Sequence, residues 1–348
     1  MKRIASLLLV AMFLGGCRAP QADGVVWLTY ATPYSPAHPF SRADQQWMDF
    51  VQRRSNGTLR VRPSWSGALL SSEHSMVQLR HGVVDVGLIT PIYVKGGAHL
   101  IRIQSGFYAG IREIEDQVDL YRCLESGHPQ IGQELEGLVV LAVQGGSTPG
   151  VITRDRPVRT LADLRGMRIR VPTELLPVLR GLGADPVNMP MGEVYSALAK
   201  GVIDGVVAPE DTFRSLHLAE VARHFAHLSI PRGAYPARAM GRERWDRLSP
   251  AHRAVLEEGI AVWERALAEE NRRALDQGRG LARERGVEET WIPAADQQRF
   301  DALYVQDAGK NAATLDRYGI DGRGVLETAL GSIGEEGRVQ CAIGKRVR

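Results

Sequence analysis

The chain has 348 residues, of which 44% are apolar, 24% charged and 6% aromatic, and a formal charge of +3 at pH 7. That length suggests about two domains, since single cores rarely grow far beyond roughly 250 residues, and the composition is that of a soluble globular protein. So small a net charge gives no electrostatic basis for binding nucleic acid or an anionic membrane, and the basic runs at 242–247 and 272–285, with acids interleaved, read as solvated helix faces.

The N-terminus carries the sharpest local signal. Lys2 and Arg3 precede Ile4 to Leu14, a run that is apolar except for Ser6. It is too short to span a bilayer, which takes about 20 residues, but it suits a secretory leader. The run ends in Leu14-Gly15-Gly16-Cys17, and small residues before a cysteine resemble the lipobox of bacterial lipoproteins. Residues 1–17 are therefore expected to be a signal peptide, with Cys17 carrying lipid and tethering the chain to a membrane in the periplasm. No later apolar run approaches membrane-spanning length. Cys123 and Cys341 remain, and an oxidising compartment permits one disulfide between them. Two buried free thiols are the alternative, because a bridge needs Cα atoms within roughly 4.4–6.8 Å.

Past a short polar stretch, Val25 to Thr32 reads as a strand and 33–39 as a loop. From Phe40, the apolar positions Trp47, Phe50 and Val51 form a helical stripe. Ser55-Asn56-Gly57 turns the chain into a half-buried strand, in which Leu59, Val61 and Pro63 alternate with polar residues. Ser71 and Ser72 precede a helix to about Leu79, closed at Gly82, and 84–90 is a strand. This alternation predicts an α/β unit with a mainly parallel sheet. A helix over 113–127 leads to the near-continuous apolar run 137–143, a pattern shown by buried parallel strands. Residues 145–150 break the chain and are the first candidate crossover between domains. A second α/β series follows: a strand at Arg168 to Val171, helices at Leu175 to Leu182 and Glu193 to Lys200, and a strand at Val202 to Val207. Residues 230–236 are the likely return crossover. Ser249-Pro250 then starts a helix that runs to about Arg285. The layout is two α/β lobes joined by two crossovers. The first takes 25–147 with about 233–275. The second takes 148–232 with about 276–330 and the C-terminal helices. Clefts between lobes are common ligand sites.

Motifs of catalysis are missing. There is no nucleophile elbow, Walker A sequence or strand-to-helix dinucleotide loop, and the sequence gives no reason to expect a cofactor or a metal. His217, His224 and His227 lie close in sequence, but no cysteine or carboxylate accompanies them at zinc-site spacing, so they read as surface or satisfied histidines.

The stretch 160–209 carries five ordered pieces: Asp163 to Gly166, Ile169 to Pro172, Leu182 to Pro186, Glu193 to Leu198 and Gly201 to Gly205. Together they closely resemble the signature region of the solute-binding subunits of TRAP transporters, the C4-dicarboxylate-binding type. Pieces at 38–40, 55–61, 67–87 and 244–250 agree, so the likeness spans roughly 25–330. It implies a two-lobe periplasmic-binding fold with a long connecting helix, a ligand cleft that closes between the lobes, and membrane permease subunits as partners. It also implies a carrier and not an enzyme. In this family the arginine of the I-R-V-P piece binds the ligand carboxylate, here Arg170, where a guanidinium matches both oxygens.

This chain departs from the family pattern in ways that bear on the ligand. The position of a second arginine falls on Gly150, and Val206 to Pro209 replaces a polar stretch. Met191 and Ala208 face the ligand, and Ala208 also argues against metal-assisted binding. The polar side of the pocket is thus expected to be trimmed, which points to a small organic acid with one carboxylate and an apolar body. Tyr34, His38, Glu73 and Thr90 sit at loop or strand ends where open α/β sheets bind ligands, with Thr173 and Tyr235 as further candidates. A ligand sensor that docks on a membrane receptor, or a periplasmic hydrolase or lyase on a similar fold, are the competing readings.

Overall fold

A computed structural model describes residues 24–94 and 96–343; Cys17 and the leader lie outside them. The chain alternates strands and helices and builds two separate sheets. The strands are β1 (Val26–Ala31), β2 (Leu59–Ser64), β3 (Val86–Leu88), β4 (Leu138–Gln144), β5 (Gly150–Thr153), β6 (Arg168–Arg170), β7 (Asp185–Val187), β8 (Gly205–Ala208), β9 (His224–His227), β10 (Tyr235–Gly241) and β11 (Glu288–Trp291). The first sheet runs β2-β1-β3-β10-β4 and the second β11-β9-β5-β8-β6-β7.

Each sheet is mixed. In the first, β1 is parallel to β2 and β3, while β10 runs antiparallel to both β3 and β4. The expectation of a buried parallel strand over 137–143 is therefore corrected: β4 is an antiparallel edge strand. Its apolar run reflects cover from helices, since Leu138 and Val143 pack into one core and Leu141 and Ala142 into another on the opposite face. In the second sheet, β5 is antiparallel to β8 and β9, and β6 is parallel to β7 and β8.

The chain passes between the sheets at 145–149 and again at 228–234. The two passages touch. A Cβ on Gly146 would fall 2.3 Å from the guanidinium carbon of Arg232, so only glycine lets that side chain lie there. The return passage then runs directly into β10 at Tyr235, so the second breaker ends inside a strand.

One helix, Pro250–Glu284, binds both lobes. Ser249 caps it by accepting a hydrogen bond from the amide of His252 at 3.2 Å, and Pro250 needs no donor partner in the first turn. At about 1.5 Å per residue its 35 residues reach about 52 Å. Its first half packs Val255, Leu256, Trp263 and Leu267 into the first lobe, and Ala282 belongs to a core of the second. Trp263 stacks on Trp47, ring centroids 3.8 Å apart. Its indole donates to Asp44 Oδ1 (2.9 Å), which also accepts from Arg238 Nε (2.8 Å), while Tyr30 OH bonds the other oxygen. Asp44, Arg238, Trp263 and Tyr30 are all fully buried.

The C-terminal helices divide differently from the sequence expectation. Phe300 and Tyr304 of helix Ala294–Ala313 pack in the second lobe, but Ala308, Ala312, Leu315, Val325 and Ala329 join a core of the first. The helix bridges the lobes because its apolar positions are split along its length. A disulfide joins Cys123, on helix Ile114–Gly127, to Cys341, with Cα atoms 5.4 Å apart. Among the described residues no helix is long and apolar enough to cross a membrane.

Candidate ligand-binding cleft

A cavity of about 140 Å³ lies between the lobes. Space of that order admits one aromatic ring, since a 150 Å³ engineered cavity binds benzene. The first lobe lines it with Tyr34, His38, Phe40, Thr90 and Tyr93. The second contributes Arg170, Glu174, Leu175, Met191, Val207, Ala208 and Asp211; the return passage adds Arg232 and the long helix Asn271.

Arg170 ends β6, a short strand with β7 on one side and β8 on the other, and is only 4% exposed. Its Nε donates to the carbonyl of Met189 (3.0 Å) and its Nη2 to Tyr93 OH (2.5 Å), on the other lobe. These contacts fix the plane of the guanidinium and leave Nη1 unengaged among the described residues. A second tie between lobes runs beside it, from the hydroxyl of Thr173 to the carbonyl of Ile92 (3.2 Å).

The opposite wall is aromatic. Tyr34 stacks on His38 with centroids 4.0 Å apart, and Phe40 meets both edge-on. His38 is the N-cap of helix Pro39–Arg54, and its Nδ1 accepts from the amide of Phe40 (3.2 Å). Burial, with Arg42 and Arg238 nearby, lowers its pKa to about 3, so the ring is neutral and part of an uncharged wall. Burial likewise raises the phenols of Tyr34 and Tyr235 and keeps them as neutral hydroxyls.

Seven of the nine expected ligand contacts therefore meet in one cavity: Tyr34, His38, Thr90, Arg170, Met191, Ala208 and Tyr235. Glu73 and Thr173 do not line it. Glu73 lies in the turn before helix Ser75–Arg80, and Thr173 spends its hydroxyl on Ile92. Thr90 also spends its hydroxyl, on the carbonyl of Ser72 (2.7 Å).

The expectation of a trimmed polar side is corrected as well. Gly150 offers no side chain because a Cβ there would fall 2.5 Å from Phe225 and 2.6 Å from the carbonyl of Ala226. A second arginine nevertheless reaches the cavity, Arg232, together with Glu174 and Asp211. Burial pushes the carboxyl of Glu174 up to about 7 against the pull of Arg170 and Arg232. Burial also pushes Asp211 up to about 6, opposed by Arg232 and by a hydrogen bond from Ser215. Arg232 hid inside a Pro/Gly-rich passage, where sequence pattern marks only a break. Glu174 lies two residues past the recognised piece at 169–172, and that nearness to Arg170 was the one signal available.

Outside the cleft, folding brings carboxylates to a histidine that has none nearby in sequence. Glu289 Oε2 lies 2.8 Å from His227 Nε2, and Glu210, nearby, is ion-paired with Arg279 at 2.8 Å.

A sequence model of the bacterial extracellular solute-binding proteins, family 7 (DctP), matches residues 30–308. The 2,3-diketo-L-gulonate-binding periplasmic protein YiaO of Escherichia coli K12 is 25% identical over 336 residues, covering 88% of this chain and 95% of its own. A TRAP solute-binding protein from Rhodoferax ferrireducens T118, in complex with copurified benzoate, superposes with a TM-score of 0.77 at 26% identity, over 88% of this chain and 96% of that one. A TRAP periplasmic solute-binding protein from Bordetella bronchiseptica, with bound (R)- and (S)-mandelate, shares the fold at 21% identity and a TM-score of 0.72, over 87% of this chain and 97% of that one.

Proposed function

The chain belongs to the bacterial extracellular solute-binding proteins of family 7, and on that premise we propose that its cleft captures a small organic acid with one carboxylate and an apolar, ring-sized body for delivery to TRAP permease subunits. The observation that carries this is Arg170: a buried guanidinium, oriented by two neutral oxygens and with no carboxylate in salt-bridge contact among the described residues. Burying a cation without an anion is costly, so the site favours a ligand that brings one. Tyr34, His38 and Phe40 on one side, with Leu175, Met191, Val207 and Ala208 on the other, offer an apolar slot for the rest of the molecule. The benzoate and mandelate bound by similar proteins are acids of this size.

Native mass spectrometry of the purified protein tests the assignment. A carried-over monocarboxylic acid, displaced by added benzoate, is the expected result. A neutral sugar, or a dicarboxylate that benzoate does not displace, would overturn it. The run ending at Cys17 supports a lipid anchor as well, though it lies outside the described residues. Cys17→Ala should then move the protein from the membrane to the soluble fraction; unchanged partitioning would remove the anchor from this reading.

A further inference from the structure

Four charged side chains line the cavity: Arg170, Arg232, Glu174 and Asp211. A cavity this small could have paired them with one another, yet their hydrogen bonds go to neutral groups. Arg170 donates to Met189 O and Tyr93 OH, Arg232 reaches the carbonyl of Ser147 at 3.5 Å, and Asp211 accepts from Ser215 Oγ at 3.1 Å. Asp211 is 7% exposed. Glu174 is partly open to the cleft; its own backbone amide and Ser105 lie close enough to favour the ionised carboxyl, but the Ser105 hydroxyl donates to the carbonyl of Arg102 (2.7 Å), and Oε2 has no hydrogen-bond partner among the described residues.

The position of Glu174 makes that unmet acceptor hard to relieve. It sits in the turn Thr173–Leu175 of the second lobe, and its Cβ lies 3.3 Å from where a Cβ on Gly106 of the first lobe would be. A Cβ on Gly233 of the return passage would in turn fall 2.5 Å from the carbonyl of Ser105. The carboxyl is thus held where both lobes and the return passage meet, and glycines make the approach possible. An unpaired buried acceptor costs free energy in the empty protein that a donor on a ligand would recover.

We propose that Glu174, together with Asp211, is a specificity-determining pair that selects acids carrying a hydroxyl group in addition to the carboxylate held by Arg170. This rests on the monocarboxylate reading above and narrows it. A hydroxyl suits the site better than an ammonium. It can donate to either carboxyl group whether ionised or protonated, whereas an ammonium needs ionised partners and burial raises the pKa of both acids. Arg232 then balances the acids and does not hold a second carboxylate.

Calorimetric titration with three probes separates the possibilities: benzoate, 3-hydroxybenzoate and 3-(aminomethyl)benzoate. The native protein should bind 3-hydroxybenzoate about 10-fold or more tighter than benzoate, the range of a hydrogen bond to a charged group, and the ammonium probe no tighter than benzoate. The readout in variants is the ratio of the first two affinities. Glu174→Gln and Asp211→Asn, both nearly isosteric, should each lower that ratio, and the double variant should bring it near one. Equal affinities in the native protein, an unchanged ratio in the double variant, or preference for the ammonium probe would each overturn the proposal and leave the carboxylate reading standing. Failure of all three probes to bind would overturn both. Arg170→Ala, by contrast, should weaken benzoate and 3-hydroxybenzoate by the same factor.

Discussion

Replacing Arg170 separates what the cleft does from what holds the fold. In Arg170→Ala the ligand carboxylate loses a charge-assisted partner that is itself buried. Truncating one member of a buried charged pair costs about 2–5 kcal/mol. At about 1.4 kcal/mol per tenfold, affinity for benzoate should fall by about 30-fold or more. The fold should suffer little. The variant loses two hydrogen bonds, to Met189 O and Tyr93 OH, each worth about 1 kcal/mol net, but it also removes a buried cation that forms no salt bridge among the described residues. The two effects oppose, so the unliganded melting temperature should move by only a few degrees. Arg170→Lys should restore part of the affinity, because an ammonium supplies charge without the planar fork. Titration calorimetry paired with thermal melting reads both quantities. Unchanged affinity in the alanine variant would refute the assignment of the carboxylate site, and a collapse in melting temperature would show that Arg170 is structural.

Asp44→Asn should destabilise the protein by about 3–5 kcal/mol, read by denaturant unfolding, because it leaves the fully buried Arg238 without its counter-ion. Opening the Cys123–Cys341 bridge with a double serine variant should cost about 2–5 kcal/mol, since it closes a separation of 218 residues, while benzoate affinity stays constant; thiol titration of the unreduced, denatured chain lacking Cys17 should find no free thiol. Glu174 has a folded pKa of about 7, above its ordinary value of 4.5, so the folded state holds the proton more tightly and unliganded stability falls as pH rises from about 4.5 to 7. Glu174→Gln should therefore raise the melting temperature at pH 8 and show little gain at pH 4.5; equal gains at both would rule out titration of this group.

Much of the architecture was legible because it is written in local chemistry. The cap at Ser249-Pro250 and the stripe from Trp47 to Val51 announce their helices, and both occur. The passages at 145–149 and 228–234 announce themselves by Gly and Pro. Direction of pairing was not legible. β4 looks the same whether its neighbour runs parallel or antiparallel, since its apolar run reports cover on both faces and nothing about β10. β9 and β11 were missed for a related reason: each has only four residues, with polar ends at His224, His227 and Glu288, so neither a period of two nor an apolar run could emerge. The C-terminal helix was placed in one lobe because sequence order suggests it, while its apolar residues serve two cores.

The cleft shows the same division in sharper form. Arg170, Met191 and Ala208 were found because they belong to a contiguous recognisable stretch on elements of the second lobe. Arg232 was not, because its place depends on two glycines, Gly146 far off in sequence and Gly233 beside it, whose close approaches only the fold reveals. Gly146 lets it lie across the first passage, and Gly233 lets the return passage press on Ser105. Electrostatic balance in the cavity follows from that one side chain. Without it, Glu174 and Asp211 would face a single guanidinium, and a ligand carboxylate would add a third negative group to one positive. With it, two guanidiniums face two acids whose pKa values burial has raised, so an entering anion is balanced once one of the acids, Glu174 most readily, takes up a proton. A second carboxylate on the ligand would lack a cation of its own. A monocarboxylate thus fits the charges of the folded cavity, whereas the sequence had pointed to it for a different reason, the apparent loss of polar groups.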